Sequence, residues 1–432
     1  MLDYINKFSG NFIVDKDLKT YSYKDLQKNI TLYLQKFKEI KPGSKVILSS
    51  DYSFESITIF LVLSELKCNI CPLNPIQKDE VEEKSKMFNA NYIISLNKSF
   101  DLVKLDNTSI ENSENYSSIT LFSSGTTGKP KMMTQNLSNI FDSHLVPRNQ
   151  KNLKILIFLL FDHIGGLNTL ISSLKKGMCL AISNSRNPDD IIKFIYNAKI
   201  NILPTTPTFI NMLLLSKEFA SEKLDSLKLI TYGTEKMPPG TLKKINKFLP
   251  NTRLLQTFGT SETGIVKTRS KSSNSLYFKI IDSEFKVIEN ELFLKTKTQI
   301  SNYDGLKSDS FTDDGWFKTG DIVDMDSEGY IKIISRKNNI INVGGLKVFP
   351  NEIEKIIYEL DFIIEAIVYG KPNAIVGNIV CLKAIVDKGT DPKSAKKLIK
   401  SICAKRLDKY KVPQKIIITN EVSSTNRFKR LI

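Results

Sequence analysis

Apolar residues in the first half of the chain recur in two alternating rhythms. Leu26, Ile30, Leu32, Leu34 and Phe37 follow a helical spacing after Tyr21, and the Pro42-Gly43 pair stops that helix. Residues 45–49 are short and apolar, as a buried strand requires. A second helix over about residues 54–66 leads into a strand at 69–73, and strand patterns return at 92–95, 155–160 and 179–183. Strands separated by helices predict parallel sheets covered on both faces, an α/β class.

The texture changes after about residue 270. Residues 276–298 hold several short alternating stretches, Phe278-Lys279-Ile280-Ile281 and Glu291-Leu292-Phe293-Leu294 among them, which predict a small antiparallel, barrel-like unit. From about residue 329 the pattern predicts a strand, a polar stretch at 336–339, a helix at 352–360, two more strands and a charged helix around 393–407. This last portion suits an independent α+β domain.

Composition narrows the class. A chain of 432 residues, 41% of them hydrophobic, is long enough for more than one domain. The first ten residues, MLDYINKFSG, lack an apolar core of signal-peptide length. The longest apolar run, residues 155–161, is far short of the roughly 20 that span a bilayer. A soluble cytoplasmic protein is expected. Five cysteines are too few for a disulfide framework, and Cys68 and Cys71, the pair at metal-like spacing, lie in an apolar stretch that reads as packed thiols. The net charge is +16, but the lysines are scattered and form no basic tail or aromatic-interleaved block, so a nucleic-acid partner is not expected. A polyanionic small molecule remains compatible with the charge.

Residues 123–131 supply the chemistry for such a molecule: Ser123-Ser124-Gly125-Thr126-Thr127-Gly128-Lys129-Pro130-Lys131. Glycines let backbone N–H groups approach an anion, hydroxyls donate further hydrogen bonds, and lysines add charge. A Walker loop needs four residues between its glycines and a Ser or Thr after its lysine. Here only Thr126 and Thr127 separate the glycines and Pro130 follows Lys129, so that reading fails. Three further motifs follow. In Gln256-Thr257-Phe258-Gly259-Thr260-Ser261-Glu262-Thr263, an aromatic beside glycine offers a flat face to a purine, and a carboxylate after two hydroxyls suits magnesium. Thr319-Gly320-Asp321 presents a carboxylate able to accept two hydrogen bonds, as the vicinal hydroxyls of a ribose require. A segment from Gly329 through Ser335-Arg336-Lys337-Asn338-Asn339 reaches the glycine pair Gly344-Gly345.

In this order the motifs resemble those of the adenylate-forming superfamily, which includes acyl-CoA synthetases, luciferases and the adenylation domains of peptide synthetases. The likeness runs from the Tyr21 segment to Lys429. It implies a large N-terminal adenylation domain of parallel α/β subdomains with the β-barrel-like unit, residues 1–337, and a small mobile α+β C-terminal domain, residues 338–432. By resemblance, Ser123, Ser124, Gly125, Thr126, Thr127, Gly128 and Lys131 hold the phosphates, and Gly233, Thr234 and Glu235 form the adenine-side loop. Residues 256–261 bind the nucleotide, Glu262 the magnesium, and Asp321 and Arg336 the ribose, with Asn338 as hinge. His163, Gly166 and Tyr232 fall at the acyl pocket, His163 as wall or gate and not as a proton-transfer group. The lysine of the family's C-terminal Thr-x-x-Gly-Lys falls on Lys429 when counted from Thr425.

Several positions depart from the family pattern. Phe258 stands for tyrosine, Ser261 for threonine, Ser335 for glycine, Asn339 for aspartate, Asn342 for lysine and Phe428 for glycine. The resemblance implies that a carboxylic acid attacks the α-phosphate of MgATP, giving acyl-AMP and pyrophosphate, and that a thiol then takes the acyl group. The thiol is coenzyme A or, as the alternative, the phosphopantetheine of an acyl carrier protein. From another class, a basic binding protein that kept the fold and lost catalysis would also account for the departures.

Overall fold

A computed structural model describes residues 1–74, 78–96, 99–106, 116–124, 130–144, 149–183, 185–304, 308–387 and 389–419. The first long helix, Tyr23–Lys36, begins where Ser22 and Asp25 form a capping box: Asp25 N–H donates to Ser22 Oγ at 3.1 Å and Ser22 N–H donates to the Asp25 carboxylate at 2.8 Å. Leu26, Ile30 and Tyr33 are buried on its inner face. Leu32 departs from the expected apolar face: six positions after Leu26 it falls on the far side of the helix and is exposed.

Two sheets build the large unit. One has seven strands in the spatial order Arg253–Gln256, Leu229–Tyr232, Ile202–Thr205, Lys154–Ile157, Cys179–Ile182, Asn11–Asp15 and Thr20–Ser22, parallel except for the last pair. The other has six, ordered Asp101–Lys104, Tyr92–Ser95, Lys45–Ser49, Asn69–Leu73, Ser118–Ser124 and Pro130–Asn136, parallel at its centre and antiparallel at both edges. The apolar strands at 45–49 and 69–73 are central in this sheet, where helices cover both faces. Cys68 and Cys71 point into different apolar clusters on the two sides of that sheet, so they cannot share a ligand; burial pushes the Cys68 thiol up to about 12.

The short-strand texture becomes a six-stranded antiparallel sheet, Thr268–Ser270, Phe278–Ile280, Ile331–Arg336, Phe317–Met325, Glu291–Lys295 and Glu284–Ile288, with its own apolar core around Phe278 and Leu294. A single 3-10 turn, Lys337–Asn339, joins it to the last unit. That unit pairs the long strands Ile363–Asn373 and Gly377–Val386 with shorter neighbours and packs helices Pro350–Ile357 and Pro392–Arg406 against them. Among the described residues no helix is long and apolar enough to cross a membrane.

The small unit docks on the large one through a buried polar contact. Asn211 Nδ2 donates to the Glu365 carboxylate at 3.1 Å, and Thr241 Oγ1 donates to Asn211 Oδ1 at 2.6 Å. All three side chains are buried. Around them, Lys244 pairs with Asp387 at 3.0 Å and Lys236 with Glu354 at 3.3 Å. Removing a partner from a buried carboxylate costs far more than losing an exposed ion pair. Asn211→Ala is therefore expected to destabilise the docked arrangement by about 1–3 kcal/mol, read as a lower urea midpoint, whereas Lys244→Ala lowers it by at most about 1 kcal/mol.

Candidate active site

Parallel strands leave their backbone ends and following loops at one edge of a sheet, where ligands of open α/β folds gather. Ser123, Leu159, Thr205, Gly233 and Thr257 each lie at or just beyond the carboxyl end of a strand of the two large sheets, and all line one cavity of about 1110 Å³. The antiparallel sheet closes it with Thr319, Gly320 and Arg336, and the connector adds Lys337 and Asn338.

On one wall the turn after Phe258 is fixed by hydroxyls. Glu262 and Thr263 N–H both donate to Thr260 Oγ1 at 3.2 Å, while Thr296 and Thr298 Oγ1 both donate to the Thr263 carbonyl at 2.7 Å. Gln135, on the strand that follows the predicted phosphate loop, donates its amide hydrogens to the carbonyls of Ser261 at 3.2 Å and Thr298 at 2.9 Å. This ties the two motifs together. Glu262 in turn accepts a 2.8 Å hydrogen bond from the Tyr303 hydroxyl, and Lys131 Nζ stands 4.5 Å from the centre of the Tyr303 ring. Tyr303 carries no sequence signal of its own; it lies 41 residues from Glu262 and only the fold brings it there.

The loop at Gly233 passes so close to Thr257 that a Cβ would lie 2.5 Å from Thr257 Oγ1. Thr234 beside it holds φ at +68°, a strained value for a β-branched residue. Phe258 is buried against Phe278 with ring centres 5.8 Å apart and still faces the cavity. Asp321 is 3% exposed and receives Arg336 Nε on Oδ1 at 2.7 Å. Its Oδ2 has no partner among the described residues; Asp321 does not itself line the cavity but stands behind Gly320 and Arg336, which do. Burial pushes this carboxyl up to about 6 and outweighs the guanidinium, which pulls the other way. Glu291, next to it, accepts from the Gly320 N–H at 3.3 Å and pairs with Lys337 at 2.8 Å.

Not every expected residue faces the cavity. Tyr232 is fully buried and contributes its carbonyl, which accepts from the Thr257 N–H at 2.8 Å. Gln256 is buried too, and its carbonyl accepts from the Thr268 hydroxyl. The Glu235 carboxylate turns away to Thr208, whose hydroxyl donates to it at 2.7 Å. Gly166 packs against backbone, where a Cβ would lie 2.0 Å from the Leu160 carbonyl, and its neighbour Gly165 takes the place on the cavity wall. These four, like Asp321, support the wall and do not form its surface. His163 does line it, and its Nδ1 caps helix Ile164–Lys176 by accepting from the Gly165 N–H at 3.2 Å. Gly125, Thr126, Thr127, Gly128 and Lys429 lie outside the described residues, as does the side chain of Ser124.

A divalent ion at Glu262 would have one carboxylate oxygen steadied by Tyr303 and the other to offer. Among the described residues no three acidic, histidine or cysteine side chains converge, so such an ion would draw its remaining ligands from phosphate and water, as magnesium commonly does.

The raised carboxyl of Asp321 has a stability consequence. A folded-state value near 6 against an unfolded 3.8 means that ionising this group opposes folding; the penalty is absent below about pH 4, grows as pH rises to 6 and reaches roughly 3 kcal/mol above it. Asp321→Asn is expected to melt at a higher temperature than the parent at pH 7.5, with the gap closing towards pH 4, while losing nucleotide affinity. Thermal scans across pH and nucleotide titration check both.

A model of the AMP-binding enzyme family matches residues 6–291, and a model of the AMP-binding enzyme C-terminal domain matches residues 352–429. The chain is 25% identical over 331 residues to an indoleacetate–CoA ligase of Aromatoleum aromaticum, covering 70% of this chain and 64% of the relative. It is 26% identical over 324 residues to a 2-succinylbenzoate–CoA ligase of Listeria innocua, covering 71% and 66%. The match thus spans less than two thirds of those relatives' length. In three dimensions it resembles the anthranilate CoA ligase AuaEII in complex with anthranoyl-AMP, with a TM-score of 0.83 at 18% identity over 99% of this chain and 95% of that one. It also resembles ATP-bound MatB from Rhodopseudomonas palustris, with a TM-score of 0.78 at 19% identity over 98% and 94%. With the family model covering most of the large unit and its companion the small one, the chain belongs to the AMP-binding enzyme family.

Proposed function

We propose that the protein activates a carboxylic acid with MgATP and passes the acyl group to a thiol, coenzyme A being the acceptor we favour. The observation that carries this reading is the single cavity joining the Glu262 and Lys131 wall to the Gly320 and Arg336 wall, with the orphaned Asp321 oxygen behind the latter. In the first step a carboxylate oxygen bonds to the α-phosphorus and the bond from that phosphorus to the bridging oxygen of pyrophosphate breaks. Two anions must meet for this, so the protein's contribution is alignment and charge neutralisation. Lys131 and the hydroxyl loop before it would steady the leaving pyrophosphate, Glu262 would hold magnesium on the phosphates, and Asp321 would fix the ribose. Lys429 would offset charge between carboxylate and α-phosphate. Sulfur then replaces AMP on the acyl carbon.

The connector Lys337–Asn339 is our candidate hinge between the two steps. It follows the Arg336–Asp321 pair, is tethered through Lys337 to Glu291, and lies between two separate apolar cores. Rotation there would have to part the Asn211–Glu365 contact. The use of ATP and coenzyme A in this reading supports a cytoplasmic location.

Acid-dependent pyrophosphate release over short, medium, long, aromatic and amino acids tests the reading. Release is expected with at least one class, and Lys429→Ala is expected to slow it by about 10²–10³-fold; no release with any acid overturns the assignment. Tyr303→Phe, which leaves the ring beneath Lys131 and removes the hydroxyl on Glu262, is expected to raise the magnesium concentration for half-maximal rate about tenfold. Rates measured across a magnesium series decide this.

A further inference from the structure

Helix Ile164–Lys176 runs along the cavity for about 20 Å, taking 1.5 Å per residue. Its apolar face, Leu167, Leu170, Ile171 and Leu174, is fully buried in the core. The stripe turned to the cavity begins at Gly165 and continues through Asn168, Thr169, Ser172 and Lys176, residues three or four apart. This wall begins at His163, at the acid side of the site, and becomes more polar and then cationic with distance. A simple hydrocarbon chain would call for the opposite.

The far end is built as an anion site. Lys176 is part-buried, with its Nζ 2.7 Å from Ser172 Oγ. Lys267 reaches the same space from the opposite wall, and burial first and Lys267 second depress the Lys176 ammonium. The one carboxylate among the described lining residues here, Asp282, stands 3.8 Å from Lys267. His144 closes the end beside Asn168; its Nε2 is buried and has no hydrogen-bond partner among the described residues. Burial and then Lys176 and Lys267 push its imidazole down to about 3, so at neutral pH it is an uncharged hydrogen-bonding group. The two ammonium groups repel one another, Asp282 offsets part of the Lys267 charge, and an anion between them relieves the rest. Lys175, next in sequence, is already taken up by Asp142 at 3.4 Å and the Phe141 ring at 3.9 Å.

We propose that the acid activated here is a dicarboxylic acid, whose second carboxylate, remote from the one that is adenylated, sits between Lys176 and Lys267 with Ser172, Asn168 and His144 around it. This rests on the acid-activating reading above and adds the substrate class to it. A dicarboxylate suits the cavity because the reacting end meets the nucleotide while the charged tail stays paired. A monocarboxylate with an apolar tail would put hydrocarbon against the part-buried Lys176 ammonium, whose neighbours in the cavity are the Ser172 hydroxyl and the Lys267 cation, with Asp282 offsetting Lys267 alone.

The test compares pyrophosphate release for aliphatic and aromatic diacids with release for their monomethyl esters, which keep the shape and remove the tail charge. Diacids are expected to exceed the half-esters on the order of a hundredfold in kcat/KM. Lys176→Met and Lys267→Met should each cut that ratio about tenfold or more, chiefly through the KM for the acid, and Lys176→Arg should retain most of it. Half-esters or fatty acids turned over as well as diacids overturn the dicarboxylate assignment and leave acid activation standing. A rise in the KM for ATP instead of the acid would show that the lysines serve the nucleotide, and would also overturn it. Silence with every acid removes the functional reading and this inference together.

Discussion

The two hydrogen bonds donated by the Gln135 amide hold the site together. Gln135 sits on the strand leaving the phosphate loop, and its acceptors lie on the Glu262 turn and on the segment that leads to Tyr303. One buried side chain therefore sets the distance between the part that would grip phosphate and the part that would hold the metal. The surrounding bonds serve the same end: Thr134 donates to Asp304 at 2.7 Å, next to Tyr303, and the Ile300 N–H donates to the Glu262 carbonyl at 2.9 Å. Buried hydrogen bonds are individually modest and costly to leave unmade, so such a network specifies one arrangement over near alternatives.

The site is also where the fold gives up stability. Asp321 is buried with one oxygen lacking a partner among the described residues, Thr234 is held at positive φ, and two lysines share the far end of the cavity. Each opposes folding in isolation; a ligand could relieve the unpartnered oxygen and the like charges, while the strain at Thr234 stays with the backbone. Away from the cavity, the capping box at Ser22 and the Thr241–Asn211–Glu365 chain pair polar side chains with one another.

Much of this could be read from the chain. The strands at 45–49, 69–73 and 92–95 begin and end where the apolar pattern places them, because buried central strands need unbroken apolar runs and tolerate little else. The motifs around Ser123, Phe258 and Asp321 were legible because glycine, hydroxyl and carboxylate residues cluster within a few positions. Other roles were not. Gln256, Tyr232, Glu235 and Gly166 sit in or beside motifs, yet their side chains or backbone face the core, since neighbours along a strand or helix turn point in different directions. Tyr303, Lys176, Lys267 and His144 face the cavity without a local pattern to mark them.

By itself, the sequence determined the element types, the α/β class, the order of the motifs and the family they resemble, since each of these rests on residues close together in the chain. Tertiary structure decided that Asp321 is buried with one oxygen unpartnered among the described residues, which tyrosine touches Glu262, how the small unit docks through Asn211, and that Lys176 and Lys267 share one end of the cavity. Those depend on contacts between residues tens to more than a hundred positions apart, whose geometry and local dielectric come into existence only when the sheets are stacked.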